Sequence, residues 1–206
     1  SNPYPSKSLA HPYQYVTRGL FQEFGAGIED FLREMETNKK NNLTVLVIGA
    51  GAGAIIYDLQ KMFPEINFKY INGEKIVITP EQFKYSYHLS NREIISLKEA
   101  EKFLRDFNRE VIVRDIDNGQ LAFPNASFDG VIVTSCVVMY FHRVDLLLSD
   151  IKRELVPGGK ALVADIFQVN SFSYNFNIIH FNVKSYVSYL NRQTTKPQYK
   201  AVGSLL

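Results

Sequence analysis

Residues 45–54 read Val-Leu-Val-Ile-Gly-Ala-Gly-Ala-Gly-Ala, and no other stretch constrains the fold as much. A β-branched run with no polar member suits a strand buried on both faces, the usual condition of a parallel sheet. The run stops at Gly49, Gly51 and Gly53, set at alternate positions, and an apolar stripe at helical spacing (Ile55, Ile56, Leu59, Phe63) follows. Glycine accepts the positive φ of a sharp strand-to-helix turn and lets backbone N–H groups approach a ligand closely. Such a turn either cradles a nucleotide-like molecule or is a tight turn holding nothing. The strand before it and the helix after it favour the ligand.

The rest of the chain repeats the alternation. Residues 1–15, with three prolines and three tyrosines, read as an extended arm; Leu20, Phe24, Ile28, Phe31 and Met35 then predict an amphipathic helix ending at Asn38–Asn42. Strands are expected at about Leu43–Ile48, Asn67–Ile71, Val111–Val113, Val131–Val133 and Lys160–Asp165. Helical stripes separate them, the last two being Leu97–Phe107 and Val144–Leu155. Glu81–Asn91 shows little periodicity and reads as a lid or short insertion. Five alternations predict an α/β fold: a Rossmann-like, doubly wound, mostly parallel sheet with helices on both faces.

At 206 residues, with 46% apolar and 21% charged residues, the chain suits one globular domain. The reading divides it into an N-terminal arm and helix (1–42), a cofactor-binding core (43–166) and a basic aromatic C-terminal segment (167–206). No apolar run approaches the roughly 18–20 residues of a membrane span, and the N-terminus carries no hydrophobic signal region. Cys136 is the one cysteine, which excludes an intrachain disulfide and a Cys-rich metal site, so no metal is expected and a cytoplasmic, reducing compartment fits. The start at Ser-Asn fits a tag scar, trimming, or excision from a larger precursor.

In a doubly wound sheet, ligands bind beyond the carboxyl ends of the strands. Four such ends carry candidates. The glycine turn, Gly49-Ala50-Gly51 with Gly53, opens a helix whose N–H groups suit a charged tail. Asn72-Gly73-Glu74 offers acceptors for ribose hydroxyls, with Asn-Gly also a plain turn former. Asp115, followed by Ile116 and Asp117, can accept from an exocyclic amine. Thr134-Ser135-Cys136 would floor the reaction site.

With these residues in place, the chain resembles the class I S-adenosylmethionine-dependent methyltransferases over about residues 43–166. The resemblance rests on Val45–Gly53, Asp115 after the third strand, Phe123-Pro124-Asn125-Ala126-Ser127-Phe128-Asp129, and Leu155-Val156-Pro157-Gly158-Gly159, in that order. It implies an S-adenosylmethionine cofactor with Gly49, Gly51 and Gly53 near the methionine moiety. Asp115 would take the adenine amine, Ile116 would lie beside the ring, and Ser135 near the sulfonium. One departure stands out: the family's acidic residue at the end of the second strand is Asn72 here, with Glu74 two residues on. The glycine pattern also fits a nicotinamide or flavin dinucleotide, which the Phe128-Asp129 and Pro157-Gly158-Gly159 motifs disfavour. A degenerate, non-catalytic binding module is the other alternative, with Asn72 as its suggestive defect. The C-terminal segment is short of the family's full seven-strand sheet and is expected to form one helix (about Ile178–Leu190) and one edge strand.

The acceptor is less constrained, and no catalytic residue is assigned. After the fourth strand the nearest general-base candidate is His142, which reads better as a helix cap, so a nucleophile already carrying a lone pair is favoured. A weaker resemblance links the chain to messenger-RNA cap guanine-N7 methyltransferases. It rests on Lys39-Lys40-Asn41-Asn42 before the glycine strand and Met139-Tyr140-Phe141 after the fourth, although Met139 replaces the family's His and the lysine usual in the glycine turn is absent. It implies mRNA capping activity with Tyr140 as the substrate-binding residue, capped RNA as partner, and a compact viral enzyme cut from a polyprotein, acting in the host cytoplasm. A small-molecule acceptor stays open beside it. From Ile166 to Leu206 there is no acidic residue, while Lys184, Arg192, Lys196 and Lys200 alternate with aromatics. That pattern suits phosphate contact and base stacking, or a solvated face over core aromatics.

Overall fold

The computed structural model describes residues 25–38, 42–91, 93–116, 120–133, 144–170 and 173–181. In chain order these form α1 (Gly25–Asn38), β1 (Thr44–Ile48), α2 (Ala54–Met62), β2 (Asn67–Asn72), α3 (Pro80–Asn91), α4 (Leu97–Glu110), β3 (Ile112–Val113), β4 (Phe128–Val133), α5 (Val144–Glu154), β5 (Leu155–Asn170) and β6 (Ser173–Phe181). One sheet holds all six strands in the order β3-β2-β1-β4-β5-β6. Strands β1 to β5 are mutually parallel and β6 is antiparallel to β5. The expected Rossmann-like sheet is therefore present, with its winding reversing between β1 and β4.

Strand β1 shows why the sequence needed an unbroken apolar run. Val45 and Val47 face one layer, packed with Ile28 and Phe31 of α1, Ile56 and Leu59 of α2, and Phe107 of α4. Leu46 and Ile48 face the opposite layer, against Leu147 and Ile151 of α5. Both faces are buried, so alternation of polar and apolar residues is absent from this strand. No described helix is long and apolar enough to cross a membrane.

Two expectations need correction. Glu81–Asn91, read as a lid or short insertion of little periodicity, is helical and makes up most of α3. A capping box opens this helix: the Thr79 N–H donates to Gln82 Oε1 at 2.9 Å and the Gln82 N–H to Thr79 Oγ1 at 3.2 Å. Pro80 occupies the first helical position, where a missing N–H costs nothing. Phe83 and Tyr87, one turn apart, bury against Tyr57 and Leu104 in a third apolar cluster.

The second correction falls in the C-terminal segment. Residues 178–181 continue strand β6 rather than begin a helix, and residues 182–190 lie outside the described residues. Tyr174, Phe176 and Ile178 alternate with Asn175 and Asn177, a period of two that suits an edge strand. Strand β5 pairs with β4 as far as Val163 and with β6 from Ala161 to Asn170.

Two of the motifs that carried the family resemblance, Phe123–Asp129 and Leu155–Gly159, sit at the amino ends of β4 and β5. Phe128 pairs with Leu155 and Gly130 with Lys160, so Val156–Gly159 bulge out opposite Asp129. A Cβ on Gly159 would lie 2.9 Å from the Val156 carbonyl oxygen and 3.1 Å from that of Asp129. Asp129 Oδ2 accepts from the Thr44 N–H at 2.9 Å, fixing where β1 begins. Arg153 Nη1 donates to the Phe123 carbonyl at 2.8 Å and to Asn125 Oδ1 at 2.7 Å, while the Glu154 carbonyl accepts from the Ser127 N–H at 2.7 Å. These residues build the scaffold and lie at the far end of the sheet from the glycine turn.

Candidate cofactor site

At the carboxyl end of β1 the chain turns through Gly49, Gly51 and Gly53 with φ of 81°, 59° and 100°. All three lie in the left-handed region that favours glycine. The Gly49 N–H donates to the Ile71 carbonyl at 2.8 Å, and the Gly53 N–H to that of Ala50 at 3.0 Å. Gly53 is the N-cap of α2 and provides no side-chain cap. Its own constraint is partly packing: a Cβ there would lie 2.9 Å from two atoms of the Phe107 ring. The third glycine thus lets α4 close over the turn, a role apart from ligand approach. Ala50 and Ala52 are buried beneath it.

Asn72, the last residue of β2, is buried, and its amide is engaged on both sides. The Gly51 N–H donates to Asn72 Oδ1 at 3.0 Å, and Asn72 Nδ2 donates to the Gly51 carbonyl at 2.7 Å. The Asn72 carbonyl accepts from the Arg114 N–H at 3.1 Å, so the same residue also anchors the exit of β3. Gly73 follows, exposed, with Ile116 Cγ1 3.6 Å from where its Cβ would stand. Glu74 is half-buried, and its Oε1 is shielded from solvent with no hydrogen-bond partner among the described residues.

Asp115 stands exposed just beyond β3, as the sequence reading requires. Ile116 is buried and shares a cluster with Ile71 and Leu121. The loop after it is shaped by Arg114, which the sequence reading missed. Its Nη1 donates to the carbonyls of Leu121 and Ala122, and its guanidinium carbon stands 5.4 Å from the centre of the Phe123 ring. No signal short of the fold would have found it. The structure thus brings the glycine turn, Asn72, Gly73, Glu74, Asp115 and Ile116 to one edge of the sheet. Asp117, Ser135 and Tyr140 lie outside the described residues. Among the described residues, no group of three His, Cys, Asp or Glu could hold a metal ion.

The chain has 18% identity to the YcgJ protein from Bacillus subtilis over 80% of this chain and 58% of that one, with a TM-score of 0.44. For a SAM dependent methyltransferase from Aquifex aeolicus the values are 18%, 70%, 66% and 0.44. For the Haemonchus contortus phosphoethanolamine N-methyltransferase 2, solved with phosphomonomethylethanolamine and S-adenosylhomocysteine, they are 18%, 90%, 39% and 0.47. The chain spans only part of each of these proteins. No curated protein matches it. The family model described as "Methyltransferase domain" matches residues 46–163. That match runs from β1 into β5 and takes in more than half of the sequence, so the chain belongs to the methyltransferase domain family.

Proposed function

We propose that the chain binds S-adenosylmethionine across the carboxyl ends of β1, β2 and β3 and methylates an acceptor nitrogen, with the guanine N7 of an RNA cap as the specific acceptor. The observation that carries the cofactor half is the glycine turn, held in three left-handed residues and pinned to β2 through the Gly51 peptide. The residues present fit such a ligand. An exposed carboxylate at Asp115 suits an adenine amine, and the solvent-shielded, unpartnered oxygen of Glu74 suits a hydroxyl donor. The start of α2 would receive the charged methionine tail.

S-adenosylmethionine supplies an activated methyl group on a sulfonium. The protein's share is to orient the two reactants and exclude water, and a general base is required only when the nucleophile must shed a proton. A ring nitrogen with a lone pair needs none. Tyr140, Lys39-Lys40 and the acid-free segment from Ile166 support that acceptor through their chemistry as read from sequence. The same reading puts the enzyme in the cytoplasm, that of the host for a viral chain.

Calorimetric titration with S-adenosylhomocysteine tests the cofactor half, and absence of binding refutes it. Methyl transfer to a short GpppA-capped RNA, with nuclease mapping of the label, tests the acceptor half. Label on guanine N7 is expected. Label on a ribose hydroxyl refutes guanine N7 as the acceptor, and no label with several unrelated RNAs refutes it too and turns the search to small-molecule acceptors.

A further inference from the structure

Asn72 occupies the position where the family resemblance implies an acidic ribose ligand, yet the oxygen and the nitrogen of its amide each bond the Gly51 peptide. An amide is the side chain that can do this, because it donates through nitrogen and accepts through oxygen. A carboxylate at the same place would still accept from the Gly51 N–H but would turn an acceptor toward the Gly51 carbonyl. Two residues on, Glu74 shows the opposite condition: Oε1 is out of water and has no donor among the described residues. A shielded acceptor left unmade is costly, and a ligand hydroxyl would remove that cost. Between them Gly73 carries no side chain and lies beside Ile116.

We infer that the two tasks are divided: Asn72 is a positioning residue that fixes the glycine turn before the ligand arrives, and Glu74 is the acceptor for the ribose hydroxyls. This rests on the S-adenosylmethionine reading above. It makes the substitution that would restore the family's acid, Asn72→Asp, a harmful one.

The test compares S-adenosylhomocysteine with its 2′-deoxy counterpart by calorimetry on the wild type, Glu74→Gln and Asn72→Asp, with amide hydrogen exchange on the ligand-free wild type. Glu74→Gln is expected to weaken S-adenosylhomocysteine by roughly 10-fold or more, as for a hydrogen bond to a charged group, and the deoxy ligand much less. Asn72→Asp should weaken both ligands by similar factors, because it acts through the turn. In the ligand-free wild type the Gly51 amide should be protected from exchange, a readout that stands even where Asn72→Asp fails to fold. Equal weakening of both ligands by Glu74→Gln overturns the ribose assignment. Tighter binding by Asn72→Asp, or open-chain exchange at Gly51, overturns the clamp. Failure of the wild type to bind either ligand overturns the cofactor reading itself, while the Gly51 exchange rate still decides the clamp.

Discussion

Replacing Glu154 by Gln should make the stability of this domain less dependent on pH. Glu154 closes α5 with a side chain that is 0% exposed. One oxygen accepts from the Phe123 N–H at 3.0 Å and from Arg153 Nη2 at 2.9 Å, and the other has no partner among the described residues. Burial, together with the like charge of Asp150, pushes its pKa from 4.5 up to about 7, against the opposing pull of the Phe123 N–H and Arg153. The unfolded chain releases this proton near 4.5, whereas the folded chain keeps it to about 7. The folded state therefore binds more protons between those values, so its stability is highest below that window and falls as pH rises through it. At about 1.4 kcal/mol per pKa unit, the loss approaches 3 kcal/mol by pH 8. Glutamine keeps the shape and cannot ionise. Its extra buried N–H costs about 1–3 kcal/mol, but that cost does not vary with pH. Urea unfolding of both proteins at pH 5 and pH 8 isolates the effect, because all other titrations are shared and cancel. The advantage of the variant should grow by about 2.5 kcal/mol between the two conditions, since part of the loss is already present at pH 5. A difference that stays constant would show that Glu154 is ionised throughout and would refute the reasoning.

Three further outcomes follow from the geometry. Gly53→Ala combines a φ of 100° with a Cβ 2.9 Å from the Phe107 ring, and should cost about 2–5 kcal/mol in chemical denaturation. Adding Phe107→Leu should recover part of that loss, and no recovery would assign the cost to the backbone alone. Asp115→Ala should weaken S-adenosylhomocysteine by about 1–3 kcal/mol in calorimetry, and unchanged affinity would remove Asp115 from the site. The Tyr87 hydroxyl donates to the carboxylates of Asp58 and Glu93, so Tyr87→Phe should lower unfolding free energy by about 1–3 kcal/mol without altering the sheet's circular dichroism.

The order of strands and helices was readable because β1 and the core helices obey simple periods. Val45–Ile48 is apolar throughout since both of its faces are covered, and Leu104 and Phe107 recur at helical spacing on α4. Helix α3 was harder because its buried stripe is narrow: Phe83 and Tyr87 are interleaved with buried Ser86 and exposed Tyr85. The Thr79–Gln82 capping box was the available signal. Site residues divide in the same way. The places of Gly49, Gly51 and Asp115 just beyond apolar strands were legible, whereas the contact of the Asn72 amide with the Gly51 peptide was not. Its partner lies 21 residues away and meets it only because β1 and β2 pair in the register Ile48↔Ile71. The motifs most useful for recognising the family, Phe128-Asp129 and Pro157-Gly158-Gly159, are structural joints at the opposite end of the sheet.

Strand β5 continues past the register of the last described residue of β4, Val133. Past Val163 its one strand partner among the described residues is β6, and the stretch Ala164–Asn170 continues roughly 20 Å at about 3.3 Å per residue, beyond the edge that carries the glycine turn. A ribbon of two strands is marginal by itself in water. Amide protection should therefore fall within a single strand, between the part seated on β4 and the part beyond it. A protease cut in the overhang would leave β1 to β4 and their ligand residues untouched. On the assignment proposed above, donor binding would then survive the cut.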